Sequence, residues 1–256
     1  CRCDQENRDR TDMIISGARK YQKIGNLITR GDNSMAQEEQ VTIKELFSLD
    51  ETAAKEYLSQ FTYPWEALSG IHDLILKLGA ALPEELYEKR EEDIWIARSA
   101  KVFDSAYIHG ACIIGENTEV RQGAFIRGDA LVGNNCVVGN SAELKNVIIF
   151  NNCEVPHYNY VGDSILGFHA HMGAGSITSN IKADRTNIIV KGNEKSYETG
   201  RRKIGAILGD WVEVGCNAVL NPGTIVGKHS MIYPTSCVRG IIPSDTIVKN
   251  TGERVK

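Results

Sequence analysis

The chain has 256 residues, 42% of them hydrophobic and 24% charged, a composition typical of folded globular domains. Its formal net charge of -4 does not favour nucleic acid as a partner. No apolar run approaches the ~20 residues needed to cross a bilayer and no secretory signal is recognisable, so a cytoplasmic protein without a membrane partner is expected.

The N-terminal stretch and the cysteines give no sign of a cofactor. Seven cysteines, an odd number without a signal peptide, argue against a disulfide framework. Cys1 and Cys3 lack a second close Cys or His pair, and no metal is expected. Residues 1–40, which begin without methionine, are interpreted as an N-terminal extension that is either non-native or poorly ordered.

Residues 41–92 are predicted to form a small α-helical cap. Asp50 is a candidate helix cap in "SLDETAAKEYLSQF", the stretch "YPWEALSGIHDLILKLGAAL" predicts a second helix, and "PEELYEKREED" suggests a third. His72 lies on the apolar second helix and is interpreted as a core or boundary histidine. The helices are expected to cover the open end of the domain that follows.

From residue 93 to residue 250 the main pattern is an aliphatic residue at every sixth position. The series runs through Ile96, Val102, Ile108, Ile114, Val120, Ile126, Val132, Val138 and Leu144, then Ile149, Val155, Val161, Leu166 and Met172, then Leu208, Val214, Leu220, Val226, Ile232 and Val238. A period of six predicts an all-β fold, a parallel β-solenoid whose coil has three short sides with the aliphatic residues pointing inward. Cys112, Cys136 and Cys153 occupy the positions before the bends at which small residues recur. They are interpreted as small buried hydrophobic residues.

The repeat is lost over residues 181–206, called the excursion below. Its basic residues, against three acidic ones, are Lys182, Arg185, Lys191, Lys195, Arg201, Arg202 and Lys203. One interpretation is a solvated loop. The other is a basic excursion that reaches over a neighbouring surface and holds phosphates, which the frequent functional use of long loops favours.

Two one-residue slips in the repeat align Asn140, His157 and Ala174 at equivalent corners of successive coils. At a corner His157 is expected to point outward, where a neutral imidazole can act as a general base. Tyr160 is close enough along the chain to help place a substrate. The Gly-Ala-Gly corner around Ala174 can expose backbone N–H groups to a developing oxyanion.

Arg127 and Lys145 are eighteen residues apart and are predicted to stack on one face. Two adjacent cations are costly without a nearby anion. A phosphate could supply that anion, since arginine can engage it bidentately. Alternatively both are solvated surface charges with Glu143 as a partner, and the sequence leaves the two interpretations open.

The chain resembles the hexapeptide-repeat acyltransferases, which are built on a left-handed parallel β-helix. Within them it is similar to the C-terminal acetyltransferase domain of the bifunctional N-acetylglucosamine-1-phosphate uridyltransferase/glucosamine-1-phosphate N-acetyltransferase. The resemblance runs without a gap from Arg127 to Asn180 and includes "VGNSAELK", "HYNYVGD" and "MGAGSITSN". It implies acetyl-CoA as acyl donor, an amino sugar phosphate or nucleotide-linked amino sugar as acceptor, and a homotrimer with sites between subunits.

The same resemblance implies a role for each candidate residue. His157 corresponds to the general base and Tyr160 to a substrate-positioning group, Arg127, Lys145, His171 and Lys203 to substrate ligands, and Ala174, Asn180 and Cys216 to the acetyl-CoA site. His171 stands where the family has an asparagine and Cys216 where it has a serine, which leaves the substrate open. The Gly-rich signature of the family's nucleotidyltransferase domain is not found, so no nucleotidyltransferase activity is expected.

Two alternatives are weighed against acetyl transfer. One is a non-catalytic relative of UDP-N-acetylglucosamine pyrophosphorylases that binds a sugar nucleotide. The other is a γ-carbonic anhydrase-like metalloenzyme, suggested by an Arg127-Gly128-Asp129 motif and by His157, His169 and His171. The histidine spacing does not match that family, which has one histidine far upstream of a close pair.

Overall fold

Short strands stacked in columns make up most of the computed structural model, which describes residues 41–192 and 195–256. The predicted N-terminal extension, residues 1–40, lies outside the described residues. In chain order the helices are α1 Ile43–Leu46, α2 Lys55–Leu58, α3 Pro64–Ala67 and α4 Ile71–Gly79, with 3₁₀ turns at Leu49–Glu51 and Leu68–Gly70. None of the helices in these ranges is both long and apolar enough to span a membrane.

The strands follow the helices. They are β1 Tyr87–Glu91, β2 Ile94–Ala97, β3 Lys101–Val102, β4 Tyr107–Ile108, β5 Cys112–Ile114, β6 Glu119–Val120, β7 Phe125–Ile126, β8 Ala130–Val132, β9 Val137–Asn140, β10 Glu143–Ile149, β11 Glu154–His157, β12 Tyr160–Leu166, β13 His171–Met172, β14 Ile177–Thr178, β15 Ile189–Lys191, β16 Ser196–Glu198, β17 Ala206–Leu208, β18 Glu213–Val214, β19 Val219–Leu220, β20 Thr224–Val226, β21 Met231–Ile232, β22 Cys237–Val238, β23 Ile241–Ile242, β24 Ile247–Val248 and β25 Arg254–Val255.

Parallel pairing arranges these strands into a solenoid with three sides per coil. The first side stacks β2, β5, β8, the end of β10, the end of β12, β17, β20 and β23. The second stacks β3, β6, β9, β11, β13, β18, β21 and β24. The third stacks β4, β7, the start of β10, the start of β12, β14, β19 and β22. The predicted parallel β-solenoid is therefore confirmed.

The inward column of the first side shows how the six-residue period builds the core. Ile114 pairs with Val132, Val132 with Ile149, and Ile149 with Leu166, all in register and all at most 1% exposed. Each such side chain contributes roughly 1.5–3 kcal/mol by its burial. Residues that pair on successive coils are 18 positions apart in the first coils, but Leu144 and Val161 pair although they are 17 apart. The predicted slips therefore shorten the coil by one residue without breaking the column.

The corners between the first and second sides use left-handed backbone conformations. Asn117, Asn135 and Asn152 have φ between 55° and 59°, a region in which asparagine is favoured among residues with a side chain. His169 and Trp211 occupy the same corner on later coils, and their rings stack at 4.0 Å. His169 is thus held at a corner on the opposite edge of the second side from His157.

The predicted third helix is wrong, because its sequence forms strand β1. Tyr87–Glu91 pairs antiparallel with Ile94–Ala97 in the first coil. Four of its five residues are exposed, so the segment has no apolar stripe that a helix could bury. Backbone pairing to the first coil uses its hydrogen-bonding groups instead.

The helical segment, residues 42–79, lies along the first side of the solenoid and not over its open end, which corrects its expected position. Helix α4 packs on β5, β8 and β10, and the Phe47 ring lies 5.0 Å from that of Phe150. The physical reason is on the outward face of the first side, which is also apolar: Trp95, Ile113, Leu131, Ile148, Ile165, Ile207, Ile225 and Ile241. Such a face must be covered, and α4 covers it over β5, β8 and β10.

Asp210 fastens the start of the helical segment to the solenoid. Its carboxylate is buried and accepts hydrogen bonds from the Ser48 N–H at 2.8 Å, the Ser48 hydroxyl at 2.7 Å and the Phe168 N–H at 3.0 Å. Lys228 Nζ lies 2.9 Å away and compensates the charge. The Asp210 N–H also donates to Leu46 O at 3.0 Å.

His72 gives the contact between helix and solenoid a pH dependence. Its Nδ1 lies 2.7 Å from Asp129 Oδ1, and this hydrogen bond raises the pKa of His72 above its ordinary value. A raised folded-state pKa means that the stabilisation is complete below about pH 6.5 and is lost as the pH rises through the folded value. We therefore expect Asp129→Asn to lower the melting temperature more at pH 5.5 than at pH 8.5. Differential scanning fluorimetry at both pH values measures this, and an equal loss at both would contradict it.

Candidate active site

His157 ends β11 on an exposed corner between the second and third sides, called the His157 corner. It is paired with Asn140, and the Tyr158 N–H donates to Asn140 O at 2.9 Å. The Gly175 N–H in turn donates to His157 O at 2.9 Å. The predicted alignment of Asn140, His157 and the Ala174 coil is present in the structure.

Asn159 holds this corner in shape, and the sequence analysis missed it. Its side chain is buried, and its amide donates to Gly173 O at 2.8 Å and to Ser176 O at 3.1 Å. Its Oδ1 accepts the His157 N–H at 2.9 Å. The signal available was a small amide two residues after the candidate base, where a local side-chain to backbone hydrogen bond is common.

Ala174 and Cys216 continue the same corner on the next two coils. The Asn217 N–H donates to Ala174 O at 2.9 Å, which joins the two coils. A Cβ at Gly173 would lie 2.7 Å from the Cys216 nitrogen, so the glycine permits this close approach. His157, Ala174 and Cys216 therefore form a column at one corner, with a spacing of roughly 4.8 Å per coil.

Tyr160 lies at the start of the third side, and its hydroxyl reaches the other edge of that side. The hydroxyl accepts a hydrogen bond from Asn180 Nδ2 at 3.1 Å. Burial is the main cause that raises the pKa of Tyr160, followed by the nearby carboxylates of Asp163 and Glu143. The phenol therefore stays protonated at neutral pH. Among the described residues its hydroxyl contacts Asn180 and not the imidazole of His157.

Asp163 organises that opposite edge, called the Asp163 corner, between the third and first sides. The residue is 4% exposed and its carboxylate accepts hydrogen bonds from Asn146 at 2.8 Å and Asn180 at 2.6 Å, with Lys145 Nζ at 3.5 Å. The sequence analysis gave it no role. The signal available in the sequence was its position one coil after Asn146, since Asn and Asp both suit tight corners. In the structure Asp163 has a φ of 49°.

Arg127 and Lys145 stack on neighbouring coils as predicted, but each has a carboxylate beside it. Arg127 Nη1 lies 2.7 Å from Glu143 Oε1, and this contact raises the pKa of Arg127. Lys145 shares Asp163 with the two asparagines. Of the two interpretations left open, the partnership of Arg127 with Glu143 is present, and a phosphate would have to compete with it.

The other predicted ligands lie apart from one another. His171 is on the second side, with Nδ1 2.8 Å from Glu213 Oε2. Lys203 is at the root of the excursion, where its backbone bridges to Ile181. The third side places roughly 10 Å of strand between the His157 corner and the Asp163 corner. Within one chain the candidate residues thus form two groups.

The three histidines that suggested a metal site do not come together. His171 contacts Glu213 and His169 stacks on Trp211, both away from the His157 corner. Across residues 41–192 and 195–256, no three His, Cys, Asp or Glu side chains are grouped as metal ligands would be.

The excursion is folded onto the molecule. Strands β15 and β16 pair antiparallel, Ile188 and Val190 are buried, and Thr199 Oγ1 donates to Ile188 O at 2.5 Å. Tyr197 packs edge-on against Trp65 of the helical segment at 5.8 Å. The excursion thus reaches over a neighbouring surface, which was one part of the functional interpretation.

A three-sided parallel solenoid with six-residue sides and an exposed histidine corner defines the hexapeptide-repeat class of β-helix. Residues 108–250 match the family described as "GMPPB C-terminal domain", and the chain belongs to this family.

Curated relatives support the resemblance found in the sequence. The chain is 38% identical over 118 residues to "Bifunctional protein GlmU" of Methanococcus maripaludis, covering 46% of this chain and 28% of that protein. It is 36% identical over 101 residues to "Bifunctional sugar-1-phosphate nucleotidylyltransferase/acetyltransferase" of Sulfurisphaera tokodaii, covering 40% of this chain and 25% of that protein. The matches thus span under a third of either relative.

A solved structure of a hexapeptide transferase family protein from Anaplasma phagocytophilum is also similar. It is 18% identical, has a TM-score of 0.36, and the match covers 63% of this chain and 76% of that one. The fold assignment rests on the strand registers described above.

Proposed function

We propose that this chain is an acyltransferase that moves the acetyl group of acetyl-CoA to the amine of an amino sugar phosphate or a nucleotide-linked amino sugar. The observation that carries the proposal is the column of His157, Ala174 and Cys216 at one corner, in which His157 and Cys216 are exposed and Ala174 is half-buried. The similarity to a sugar-1-phosphate nucleotidylyltransferase/acetyltransferase supports it.

In the proposed reaction His157 accepts a proton from the amine as the nitrogen attacks the thioester carbonyl. The new C–N bond forms, the C–S bond breaks, and the proton passes from the imidazole to the departing thiolate. The Ala174 N–H, for which no acceptor is found among the described residues, is available to the oxyanion of the tetrahedral intermediate. Cys216, one coil further, borders the path of the coenzyme.

The remaining candidate residues are proposed to bind the two substrates. Arg127, Lys145 and Lys203 attract the acceptor's phosphate, and His171 contacts its sugar. Tyr160 and Asn180, joined by their hydrogen bond, orient the ligands. Because these groups lie on both edges of the third side, we propose that a homotrimer completes each site, with the His157 corner of one copy facing the Asp163 corner of the next.

The test is acetyl transfer by the purified chain from acetyl-CoA to glucosamine 1-phosphate, related amino sugar phosphates and nucleotide-linked amino sugars. Product mass is the appropriate readout, since the exposed thiols of Cys216 and Cys237 would react with a thiol reagent. N-acetylglucosamine 1-phosphate, which has no free amine, is the matched control. A mass gain of one acetyl group on a free-amine acceptor is the expected result; no gain on any acceptor would contradict the proposal.

The second candidate, a non-catalytic relative that binds a sugar nucleotide, is favoured by the basic excursion folded over the Asp163 corner. Binding of a sugar nucleotide there requires no residue of the His157 corner. Thermal stabilisation by UDP-N-acetylglucosamine together with none by acetyl-CoA would favour this candidate over the enzyme. Stabilisation by acetyl-CoA is expected if the proposed reaction is correct.

A further inference from the structure

A pocket of about 870 Å³ lies at the root of the excursion, beside the Asp163 corner. Its charged lining residues are Asp163, Lys182, Arg185, Arg201, Arg202 and Lys203. Five cations thus face one carboxylate, and that carboxylate already accepts hydrogen bonds from Asn146 and Asn180. The pocket therefore carries a concentrated positive charge within a chain whose net charge is -4.

Most cations of this pocket lack an ion-pair partner among the described residues. Lys182 has Asp184 at 3.4 Å, but no described carboxylate forms an ion pair with Arg185, Arg202 or Lys203. The Arg201 Nε is buried with no hydrogen-bond partner among the described residues. Burial is also the main cause that lowers the pKa of Arg201. A buried guanidinium nitrogen without an acceptor is costly unless a ligand supplies one.

Backbone hydrogen bonds close the root of the excursion, so the Cα positions that carry these cations stay together at one edge of the solenoid. The Gly205 N–H donates to Asp163 O at 2.8 Å and the Ile204 N–H to Asn180 O at 3.1 Å, which closes the root of the excursion. Tyr197, packed on the helical segment, fixes its outer part. A guanidinium group can donate two parallel N–H hydrogen bonds to two oxygens of one phosphate group.

We propose that this pocket binds the diphosphate of a nucleotide, with Arg185, Arg201 and Arg202 as its principal ligands. Its volume of about 870 Å³ is several times what one phosphate needs. A diphosphate can engage several guanidinium groups at once. The inference rests on the nucleotide ligands considered under the proposed function and assigns their diphosphate to this pocket. Binding here requires no acyl transfer, so a failure of binding and a failure of catalysis can be told apart.

The test begins with inorganic diphosphate as probe, titrated calorimetrically into the full chain. We expect Arg185→Gln combined with Arg202→Gln to weaken its affinity at least tenfold, since each loses charge-assisted hydrogen bonds. Both side chains are exposed, so this variant is expected to fold. The matched control, Lys44→Gln with Lys77→Gln, removes the same charge from exposed positions on the helical segment and should leave the affinity within twofold.

Competition then identifies the nucleotide. Coenzyme A and UDP-N-acetylglucosamine both contain a diphosphate joined to a nucleoside, and the one that displaces inorganic diphosphate from the wild-type chain is the source. We expect at least one to compete, and to lose affinity in the arginine variant while keeping it in the lysine control. An equal loss in the lysine control, an unchanged arginine variant, or no competition by either nucleotide would overturn the inference.

Discussion

Replacing His157 by alanine is expected to lower kcat/KM for acetyl transfer by about 10²–10⁴-fold, the range that a positioned general base contributes. The side chain lies on an exposed corner, and the hydrogen bonds that shape this corner come from the backbone and from Asn159. Removing the imidazole should therefore remove the base without changing the fold. The measurement is the initial rate of product formation for an acceptor found in the panel above.

A matched control separates a catalytic histidine from a histidine at any corner. His169→Asn places at its corner the residue that Asn135 and Asn152 already provide on earlier coils, with the same left-handed backbone. Its rate should stay within a few-fold of wild type. If His157→Ala retains full activity, or if the control loses as much, His157 is not the base.

The largest expected loss of stability follows from Phe150→Ala. The Phe150 side chain is fully buried and packs against Phe47, where the helical segment covers the first side. A phenylalanine-to-alanine change at such a site typically costs about 3–5 kcal/mol, because the helix cannot collapse into the cavity. Urea unfolding followed by circular dichroism measures the free energy of unfolding.

Phe125→Ala is the control for this substitution, since Phe125 is 37% exposed on the third side. It removes the same atoms from a surface position and should cost under about 1 kcal/mol. Equal losses in the two variants would show that the contact of the helical segment with the solenoid does not stabilise the fold.

The coil register could be predicted because its signal is local and repeated. Each inward aliphatic residue, such as Ile114 or Val132, recurs at the period of the solenoid whatever surrounds it. The slips on either side of His157, in the hexads that open at Leu144 and Val161, were equally readable, since a missing residue shifts every later position. The alignment of His157 with the Ala174 coil followed from the same counting.

The position of the helical segment could not be obtained by counting inward residues alone. Its signal was the second apolar column, which includes Ile113, Leu131 and Ile148 and lies on the outward face of the first side. A solenoid side that is apolar on both faces needs a cover along its length. Charge pairing at the candidate site, as between Arg127 and Glu143, depends on side-chain conformation and is not encoded in spacing.

The closed root of the excursion has a consequence for how this scaffold can vary. The chain leaves and re-enters the coil through neighbouring residues, with the Ile181–Lys203 bridge and the Ile204 N–H bond to Asn180 O joining the two ends. The number of residues in the excursion can therefore change without changing the number of coils. Each doubling of a flexible insert costs only about 0.6 kcal/mol in closure entropy. This corner can accordingly accept inserts of different length while the coils stay in register.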